Sequence, residues 1–260
     1  MTAPSLPMMA VARDAAEAAA VLLREAYARG DRVVEHKGRI DLVTDVDRAC
    51  EAAIRAVLTQ HTPQLPTLGE EEGGPWAAPT RWVVDPLDGT TNFVHGFPWF
   101  AVSIALEVQG ATQVGVVLQP ITHDLYAAER GQGATHNGRV MRVSTVDDLD
   151  HALVATGFPY SRRSQLPELL APIERVLGRV QGLRRAGAAA LDLAMVAAGK
   201  LDAYWERELR PWDLAAGRLL VTEAGGRVTA HDGSAELDPK WPGPLASNGR
   251  VHEAMVQALR

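Results

Sequence analysis

Segments with the composition of helices alternate along the chain with short apolar segments that are typical of strands. An alanine-rich run from Met8 to Ala28 predicts the first helix, with Gly30 close to its C-cap. A second helix is predicted from an N-cap at Thr44 to about Gln60, where an aspartate three residues after the cap forms a variant of the capping box. Both helices precede the most regular strand signals of the chain.

The middle of the chain predicts a sheet. Residues 82–84 form a short apolar run with β-branched side chains, as in a buried strand. Three alternating segments follow, separated by glycine and proline, and predict antiparallel strands at 100–108, 112–118 and 124–129. Asn137-Gly138 is a hairpin signal. Gly131-Gln132-Gly133 predicts a turn and not a phosphate loop, because no long helix follows it.

Helices and strands alternate again after about residue 148. Strands are predicted at 152–155, 202–205, 228–230 and 244–247, and helices at 166–180, 188–198, 212–224 and 251–259. No internal repeat, low-complexity segment or flexible linker marks a boundary. We therefore predict an N-terminal half, 1–147, with an antiparallel sheet, and a C-terminal half, 148–260, with a mixed sheet, joined in one integrated domain.

The bulk composition excludes several classes of protein. The 260 residues are 47% hydrophobic and 22% charged, which is typical of a soluble globular protein. The longest uncharged stretch, residues 89–106, contains His95 and Pro98 and does not predict a membrane span. No signal peptide is evident, and the single cysteine, Cys50, predicts a reducing compartment and a cytoplasmic location. We expect Cys50 to be a small apolar filler and His95 to be a packed imidazole.

The net charge of −6 argues against a nucleic-acid-binding surface, which needs a basic patch. It also means that an anionic substrate must be attracted by a bound metal or by a local basic group. The sequence thus predicts neither a nucleic-acid nor a membrane partner.

Two aspartates follow the apolar run at 82–84, in the segment Asp85-Pro86-Leu87-Asp88-Gly89, which predicts a turn. Two carboxylates this close can both be ionised only at a cost in electrostatic free energy. Either one of them is protonated or a cation lies between them. Gly89 lets an anion approach the backbone, and Thr90 offers a hydroxyl at the start of a short helix. The alternative is an ordinary Asp-Pro-Gly turn without function.

Further acids lie elsewhere in the chain, and each is unremarkable alone. Glu70-Glu71-Glu72 fits a solvated charge run, Asp47 a helix-surface residue, and Asp213 a first-turn acid favoured by the helix dipole. Together with Asp85 and Asp88 they supply oxygen ligands for more than one Mg²⁺.

The motifs Gly-Glu-Glu at 69–71, Trp-Val-Val-Asp-Pro-Leu-Asp-Gly-Thr-Thr-Asn-Phe at 82–93 and Pro-Trp-Asp-Leu-Ala-Ala-Gly at 211–217 resemble the signature blocks of the inositol monophosphatase family. Its members are Mg²⁺-dependent, lithium-sensitive phosphatases, related more distantly to fructose-1,6-bisphosphatases. The resemblance implies an α+β or α/β fold, a layered αβαβα sandwich, with a homodimer and a small phosphorylated substrate.

The resemblance also implies roles for particular residues. Glu70, Asp85 and the carbonyl of Leu87 would hold a first Mg²⁺; Asp85, Asp88 and Asp213 a second; and Glu70 a third, weaker ion. Thr90 and Glu70 would position and deprotonate the attacking water, with Asp47 hydrogen-bonded to Thr90. The substrate would contact Asp88, Gly89, Thr90, Ala189 and Glu206. The roles of Lys37, Ala188 and Arg210 stay open.

Inositol 1-phosphate is the first substrate to consider, and histidinol phosphate and adenosine 3′,5′-bisphosphate are alternatives. A haloacid-dehalogenase-type phosphatase is a weaker rival, because its chemistry requires two aspartates two positions apart. Asp85 and Asp88 are three positions apart, with a proline between them. A catalytically silent binding or regulatory module is the rival from another class. The complete carboxylate set argues against that rival, because acids without counter-charges are costly to keep.

Overall fold

The fold is built on two large β-sheets, which the computed structural model describes within residues 7–30, 34–36, 42–235, 237–238 and 243–260. The helices are α1 (Met8–Arg29), α2 (Asp45–His61), α3 (Thr90–Val94), α4 (Leu166–Leu177), α5 (Ala189–Ala197), α6 (Pro211–Glu223) and α7 (His252–Leu259). The strands are β1 (Val34–His36), β2 (Leu42–Thr44), β3 (Thr67–Gly69), β4 (Thr80–Asp88), β5 (Ala101–Val108), β6 (Ala111–Gln119), β7 (Asp124–Glu129), β8 (Gly133–His136), β9 (Arg139–Val140), β10 (Leu153–Thr156), β11 (Gly182–Arg184), β12 (Ala203–Trp205), β13 (Arg227–Ala230) and β14 (Pro244–Ser247).

The two large sheets differ in their strand directions. In the described chain, the first has seven strands in the order β3-β4-β5-β6-β7-β8-β9. Its neighbouring strands are antiparallel except β3 and β4, which are parallel. The second has five strands in the order β11-β10-β12-β14-β13 and is mixed. The second sheet is mixed, and the first is antiparallel apart from the parallel β3–β4 pair, which the sequence does not predict.

Helices cover both sheets and separate them. On the outer face of the first sheet, Leu23 of α1 and Ile54 of α2 are buried with Trp82 and Ile104. Between the sheets, α5 and α6 bury apolar side chains such as Leu191 against both neighbours. The order of layers is completed by α4 and α7, which pack on the outer face of the second sheet. This is the layered αβαβα sandwich that the family resemblance implies.

One hydrophobic cluster contains residues from both predicted halves. Val83 and Val117 of the first sheet share it with Leu193, Tyr204 and Leu220 from beyond residue 148. The division at residues 147 and 148 itself stays a prediction. Cys50 is fully buried against α1, as expected for a small apolar filler.

The predicted turn at Asp85–Gly89 is wrong, because β4 continues through Asp88. Asp85 lies opposite Ser103 and Asp88 opposite Ala101, so three steps on β4 match two on β5. The extra residue is a β-bulge, a place where Pro86 is tolerated although it lacks an N–H group. In a regular strand, residues three apart face opposite sides. The bulge removes this alternation and lets both aspartates face one side.

Some of the other local predictions are confirmed, and others are wrong. Asn137 and Gly138 both have positive φ, at 49° and 76°, and form the predicted hairpin turn. The short strands β3 and β11 were not predicted, since three residues carry little periodic signal. His95 is exposed and not a packed imidazole. Lys37 lies outside the described residues. No helix in the described ranges is sufficiently long and apolar to cross a membrane.

Candidate active site

Glu70 and Asp85 meet because their strands are parallel neighbours. Gly69 at the end of β3 pairs with Val84 on β4, and the next residue on each strand is an acid. The N–H of Glu70 donates to the carbonyl of Val84 at 3.3 Å, which continues the pairing by one step. Residues that leave the same edge of parallel strands lie side by side, so the parallel pairing brings these two carboxylates together.

Asp85 is the most buried acid of the group, with 1% of its surface exposed. Burial raises the pKa of its carboxyl well above the ordinary value, and the charges of Glu70, Asp88 and Asp213 raise it further. One carboxylate oxygen accepts the N–H of Leu87 at 3.0 Å, which holds the side chain within the bulge. The charges of three other acids thus act on Asp85, one from its own strand and two from separate segments.

Asp88 joins the first sheet to the helix layer. Its two carboxylate oxygens accept the N–H groups of Ala189 at 3.1 Å and Ala190 at 2.8 Å, at the start of α5. The N-cap residue, Ala188, has no side-chain oxygen of its own, so Asp88 supplies the capping interaction from another element. Burial raises the pKa of Asp88 to about 6, although these hydrogen bonds lower it.

Gly89 and Thr90 follow at the beginning of α3. Gly89 has φ of 93°, and a Cβ there would lie 3.0 Å from the carbonyl oxygen of Trp99, so the position favours glycine. The hydroxyl of Thr90 lies 3.2 Å from the Asp47 carboxylate and 3.1 Å from the Leu87 carbonyl. The contact between Thr90 and Asp47 is the one that the family resemblance implies.

Asp213 lies in the first turn of α6. Its carboxylate accepts the N–H of Arg210 at 2.7 Å, which caps the helix. Burial raises the pKa of Asp213 to about 7, and the charge of Asp88 also raises it, while a side-chain hydrogen bond with Asp85 lowers it. Arg210, whose role the sequence leaves open, lies close enough to Asp213 and Glu70 to interact with both charges.

Glu206 is held by a buried tyrosine. The hydroxyl of Tyr204, which has no exposed surface, donates to Glu206 at 2.5 Å. A Cβ on Gly157 would lie 1.8 Å from the same carboxylate, so only glycine leaves room for Glu206 in this position. Burial raises the pKa of Glu206 to about 7, against the lowering effect of the Tyr204 hydrogen bond.

A cavity of about 620 Å³ brings half of the predicted site residues together. Its lining includes five of them, namely Asp88, Gly89, Ala189, Glu206 and Asp213, but not Asp47, Glu70, Asp85, Leu87 or Thr90. Such a volume is typical of a pocket for a small organic ligand. Three acids that are distant along the chain, Asp88, Glu206 and Asp213, thus face one concave site.

The donor set fits a hard divalent cation, because it consists of carboxylate and carbonyl oxygens with excess negative charge. Within the described ranges, however, no three histidine, cysteine, aspartate or glutamate side chains are clustered tightly enough to hold a metal ion. Asp88 and Asp213 instead accept backbone N–H groups. Cation binding at this site therefore requires these side chains to turn toward a common centre.

Glu51 is a residue that the sequence analysis missed. Its carboxylate is fully buried and accepts the N–H groups of Glu71 at 2.7 Å and Glu72 at 3.1 Å, so it fixes the backbone directly after Glu70. Arg55, four residues later on α2, pairs with it at 2.7 Å. Glu51 looks like an ordinary helix-surface acid in the sequence, and only the contact with the distant Glu70 loop shows its role.

We expect Glu51→Gln to destabilise the protein by about 3 kcal/mol, because the charge of Arg55 loses its buried partner. Gln has one acceptor oxygen where Glu has two, so the Glu70 loop also loosens and we expect kcat to fall about tenfold. Urea unfolding and initial rates measure both effects. Glu72→Gln on the same loop is the matched control, since that side chain also pairs with Arg55, at 3.2 Å, but is 57% exposed. Equal stability and turnover in both variants would contradict the role of Glu51.

Asn92, within the central motif, connects two segments that are distant along the chain. Its amide nitrogen is within hydrogen-bond distance of the carbonyls of Trp99 at 2.7 Å and Ala186 at 2.9 Å. The second contact fixes the segment before α5, and thus the backbone that Asp88 caps. The motif at 82–93 therefore supports the site mechanically in addition to supplying its acids.

The profile of the inositol monophosphatase family matches residues 6–260 of this chain. Nus factor SuhB from Pseudomonas aeruginosa is 48% identical, over 98% of this chain and 96% of its own length. Inositol-1-monophosphatase from Synechocystis sp. is 45% identical, over 87% of this chain and 79% of its own length. The crystal structure of the extragenic suppressor protein suhB from Bartonella henselae is similar with a TM-score of 0.93 and 41% identity, covering 97% of this chain and 98% of that one.

Proposed function

Because the chain belongs to the inositol monophosphatase family, we propose that it uses Mg²⁺ to hydrolyse inositol 1-phosphate to myo-inositol and phosphate. Its class, a phosphoric monoester hydrolase, follows from its similarity to inositol-1-monophosphatases. The observation that supports the proposal best is the coupling of Glu70, Asp88 and Asp213 around the buried Asp85. Four acids in one place can all be ionised at neutral pH only beside a positive partner, because without one their raised pKa values favour protonation.

In this proposal, Glu70, Asp85 and the carbonyl of Leu87 would hold one Mg²⁺. Asp85, Asp88 and Asp213 would hold a second, and Glu70 would take part in holding a third, weaker ion. Bound Mg²⁺ supplies Lewis acidity, which lowers the pKa of a water molecule and stabilises charge on phosphate oxygens. The shared position of Asp85 makes it the residue on which both main ions depend.

The protein's own groups position the water and the phosphate. The single proton of the Thr90 hydroxyl is directed to Asp47 or to the Leu87 carbonyl, so its lone pairs are left to accept a hydrogen bond from water. Glu70 takes the proton that this water loses on attacking phosphorus. The backbone N–H groups of Gly89 and Thr90 donate to the phosphate, whose approach needs the absence of a side chain at Gly89.

Substrate choice depends in this proposal on hydrogen bonds to the hydroxyls of the ring. The carboxylates of Asp88 and Glu206 accept hydrogen bonds from these hydroxyls, and the backbone at Ala189 also contacts the ring. The test is phosphate release from inositol 1-phosphate, histidinol phosphate and adenosine 3′,5′-bisphosphate, measured in parallel at fixed Mg²⁺. The highest kcat/KM with inositol 1-phosphate is the expected result. A higher value with either other ester would reassign the substrate and leave the reaction class intact.

We expect Tyr204→Phe to raise KM for inositol 1-phosphate about threefold to tenfold with little change in kcat. The hydroxyl of Tyr204 holds Glu206, and its loss frees the carboxylate that faces the substrate ring. Steady-state kinetics separate the two parameters. Tyr126→Phe is the matched control, because Tyr126 is also buried but lies on β7, outside the cavity. A fall in kcat alone, or identical effects in both variants, would refute this role.

A catalytically silent binding module remains the rival from another class. The name Nus factor belongs to the Pseudomonas aeruginosa relative, and the carboxylate set of this chain favours catalysis. Absence of phosphate release from all three esters, in folded protein with Mg²⁺, would support the silent module. The homodimer, inhibition by millimolar lithium and the cytoplasmic location also stay predictions; light scattering, inhibition assays and cell fractionation test them.

A further inference from the structure

A second cavity, of about 380 Å³, lies beside the proposed catalytic one, and its lining contains none of the acids that face the first. Arg175, Arg207 and Arg260 line this basic cavity, together with His231 and a single acid, Glu168. Burial and the charge of Arg207 lower the pKa of His231, so its imidazole is neutral at pH 7. The described lining therefore carries two more positive charges than negative ones, in a chain whose net charge is −6.

The three arginines keep most of their donors for a ligand. In the part of the chain that the structure describes, the guanidinium of Arg207 has no hydrogen-bond acceptor and no ion-pair partner. Arg175 uses Nε and Nη2 on the carbonyls of the last two residues of α7, at 3.1 and 3.0 Å, which leaves Nη1. Arg260 donates from Nη2 to the carbonyl of Asp232 at 3.2 Å and also interacts with the charge of that exposed residue. Because a guanidinium has five N–H donors in a planar fork, each of the three can still bind phosphate oxygens.

The interior side of the basic cavity is apolar. Trp205 and Leu169 line it and are only 4% and 6% exposed, and Phe158 lines it as well. The three arginines, in contrast, are exposed to solvent. Apolar walls exclude water and so strengthen the attraction between charges nearby. A phosphate group that carries a small apolar body fits this combination of arginines and apolar wall.

A short stretch of backbone separates the two cavities. Glu206 lines the proposed catalytic cavity and the next residue, Arg207, lines the basic one, while Phe158 belongs to both linings. Nε2 of His231 lies 3.1 Å from the carbonyl oxygen of Glu206, and it must donate, because a carbonyl can only accept. The two cavities are therefore distinct sites, although they are neighbours.

We propose that the basic cavity binds a phosphate group, either as free phosphate or as the head group of a small ester, and that it does so without Mg²⁺. A phosphate group on an ester carries between about 1.5 and 2 negative charges at neutral pH, which matches the excess positive charge of the lining. A carboxylate supplies only one. The proposed catalytic site differs in this respect, because its acids repel phosphate until cations are bound.

The test is calorimetric titration of the full chain in the presence of a chelator, with inorganic phosphate, phenyl phosphate and benzoate as probes. The chelator leaves the catalytic acids without cations, so that phosphate binding reports on the basic cavity. We expect a Kd below about 1 mM for inorganic phosphate. Tighter binding of phenyl phosphate would identify an ester as the ligand, and equal binding would identify free phosphate. Benzoate binding as tightly as phenyl phosphate would overturn the assignment to phosphate.

Substitutions of the arginines decide where the phosphate binds. We expect Arg207→Gln and Arg260→Gln each to raise the Kd for phenyl phosphate about tenfold, as for the loss of a charge-assisted hydrogen bond. Arg207→Gln removes no contact within the described chain, so this variant is expected to fold normally. Arg179→Gln is the matched control, because Arg179 is also exposed but does not line the cavity.

Failure of the unaltered protein to bind either phosphate compound in chelator would overturn the site. Binding that Arg207→Gln and Arg260→Gln leave as tight as Arg179→Gln does would overturn it too. The titrations need neither Mg²⁺ nor turnover, so their outcome is independent of whether any ester is hydrolysed. The proposed function and the basic cavity can therefore fail separately.

Discussion

Replacing Asp85 by Asn is expected to lower phosphate release by a factor of about 1,000 or more, which corresponds to roughly 4 kcal/mol of activation free energy. Asp85 lies at the centre of the coupled acids and is 1% exposed. In the proposed mechanism it is the only carboxylate shared by both main Mg²⁺ ions. Asn offers one neutral oxygen where Asp offers two charged ones, so both ions lose affinity together.

The same substitution should leave the fold intact. The carbonyl oxygen of Asn can still accept the N–H of Leu87, which Asp85 holds at 3.0 Å. The substitution also removes one negative charge from a buried cluster. We therefore expect the free energy of unfolding, measured in the presence of a chelator, to stay equal or to rise. Thermal unfolding followed by circular dichroism measures this. The exposed Asp150→Asn is the control for activity. Full turnover in Asp85→Asn would refute the two-metal assignment.

Removal of Mg²⁺ by a chelator is expected to abolish turnover at pH 8, and readdition of Mg²⁺ to restore it. The Mg²⁺ concentration that is needed should increase steeply as the pH falls from 8 to 6. Burial raises the pKa of Asp88 to about 6 and that of Asp213 to about 7, and both must be ionised to bind a cation. Initial rates in Mg²⁺ titrations at several pH values measure this dependence.

The stability of the metal-free protein should decrease as the pH rises, whereas the affinity for Mg²⁺ should increase. Asp88, Asp213 and Glu206 have folded-state pKa values above those of the unfolded chain, so the folded state binds more protons. Their contribution to stability is complete below about pH 4 and is lost as the pH rises to about 7. The gain in Tm on adding Mg²⁺ should therefore be larger at pH 8 than at pH 5. A gain that is equal or larger at pH 5 would contradict the acidic metal site.

Much of the fold could be predicted because its signals are local. The helix at Met8–Arg29 and the strand at Asp124–Glu129 have the composition or alternation of their element, and the sequence shows both. The segment Asp85–Asp88 was interpreted as a turn because Asp, Pro and Gly are turn formers in any context. Pairing with β5 overrides that local preference and turns the segment into a bulged strand.

Some residues of the site could likewise be predicted from the sequence, and others could not. Asp85, Asp88, Glu70 and Asp213 could be named from motifs, since the acids of this family lie in recognisable blocks. Glu51 and Tyr204 could not, because their roles depend on contacts with Glu71 and Glu206 that no local pattern encodes.

By itself, the sequence determined most of the kinds of element, the family and the acids that we propose as metal ligands, because side-chain chemistry and short-range periodicity are properties of neighbouring residues. Only the tertiary structure decided which acids meet. The parallel pairing of β3 and β4 places Glu70 beside Asp85, and the β4 bulge lets Asp85 and Asp88 face one side. Those outcomes depend on register and on contacts between residues distant along the chain, which are settled when the sheets and helices pack.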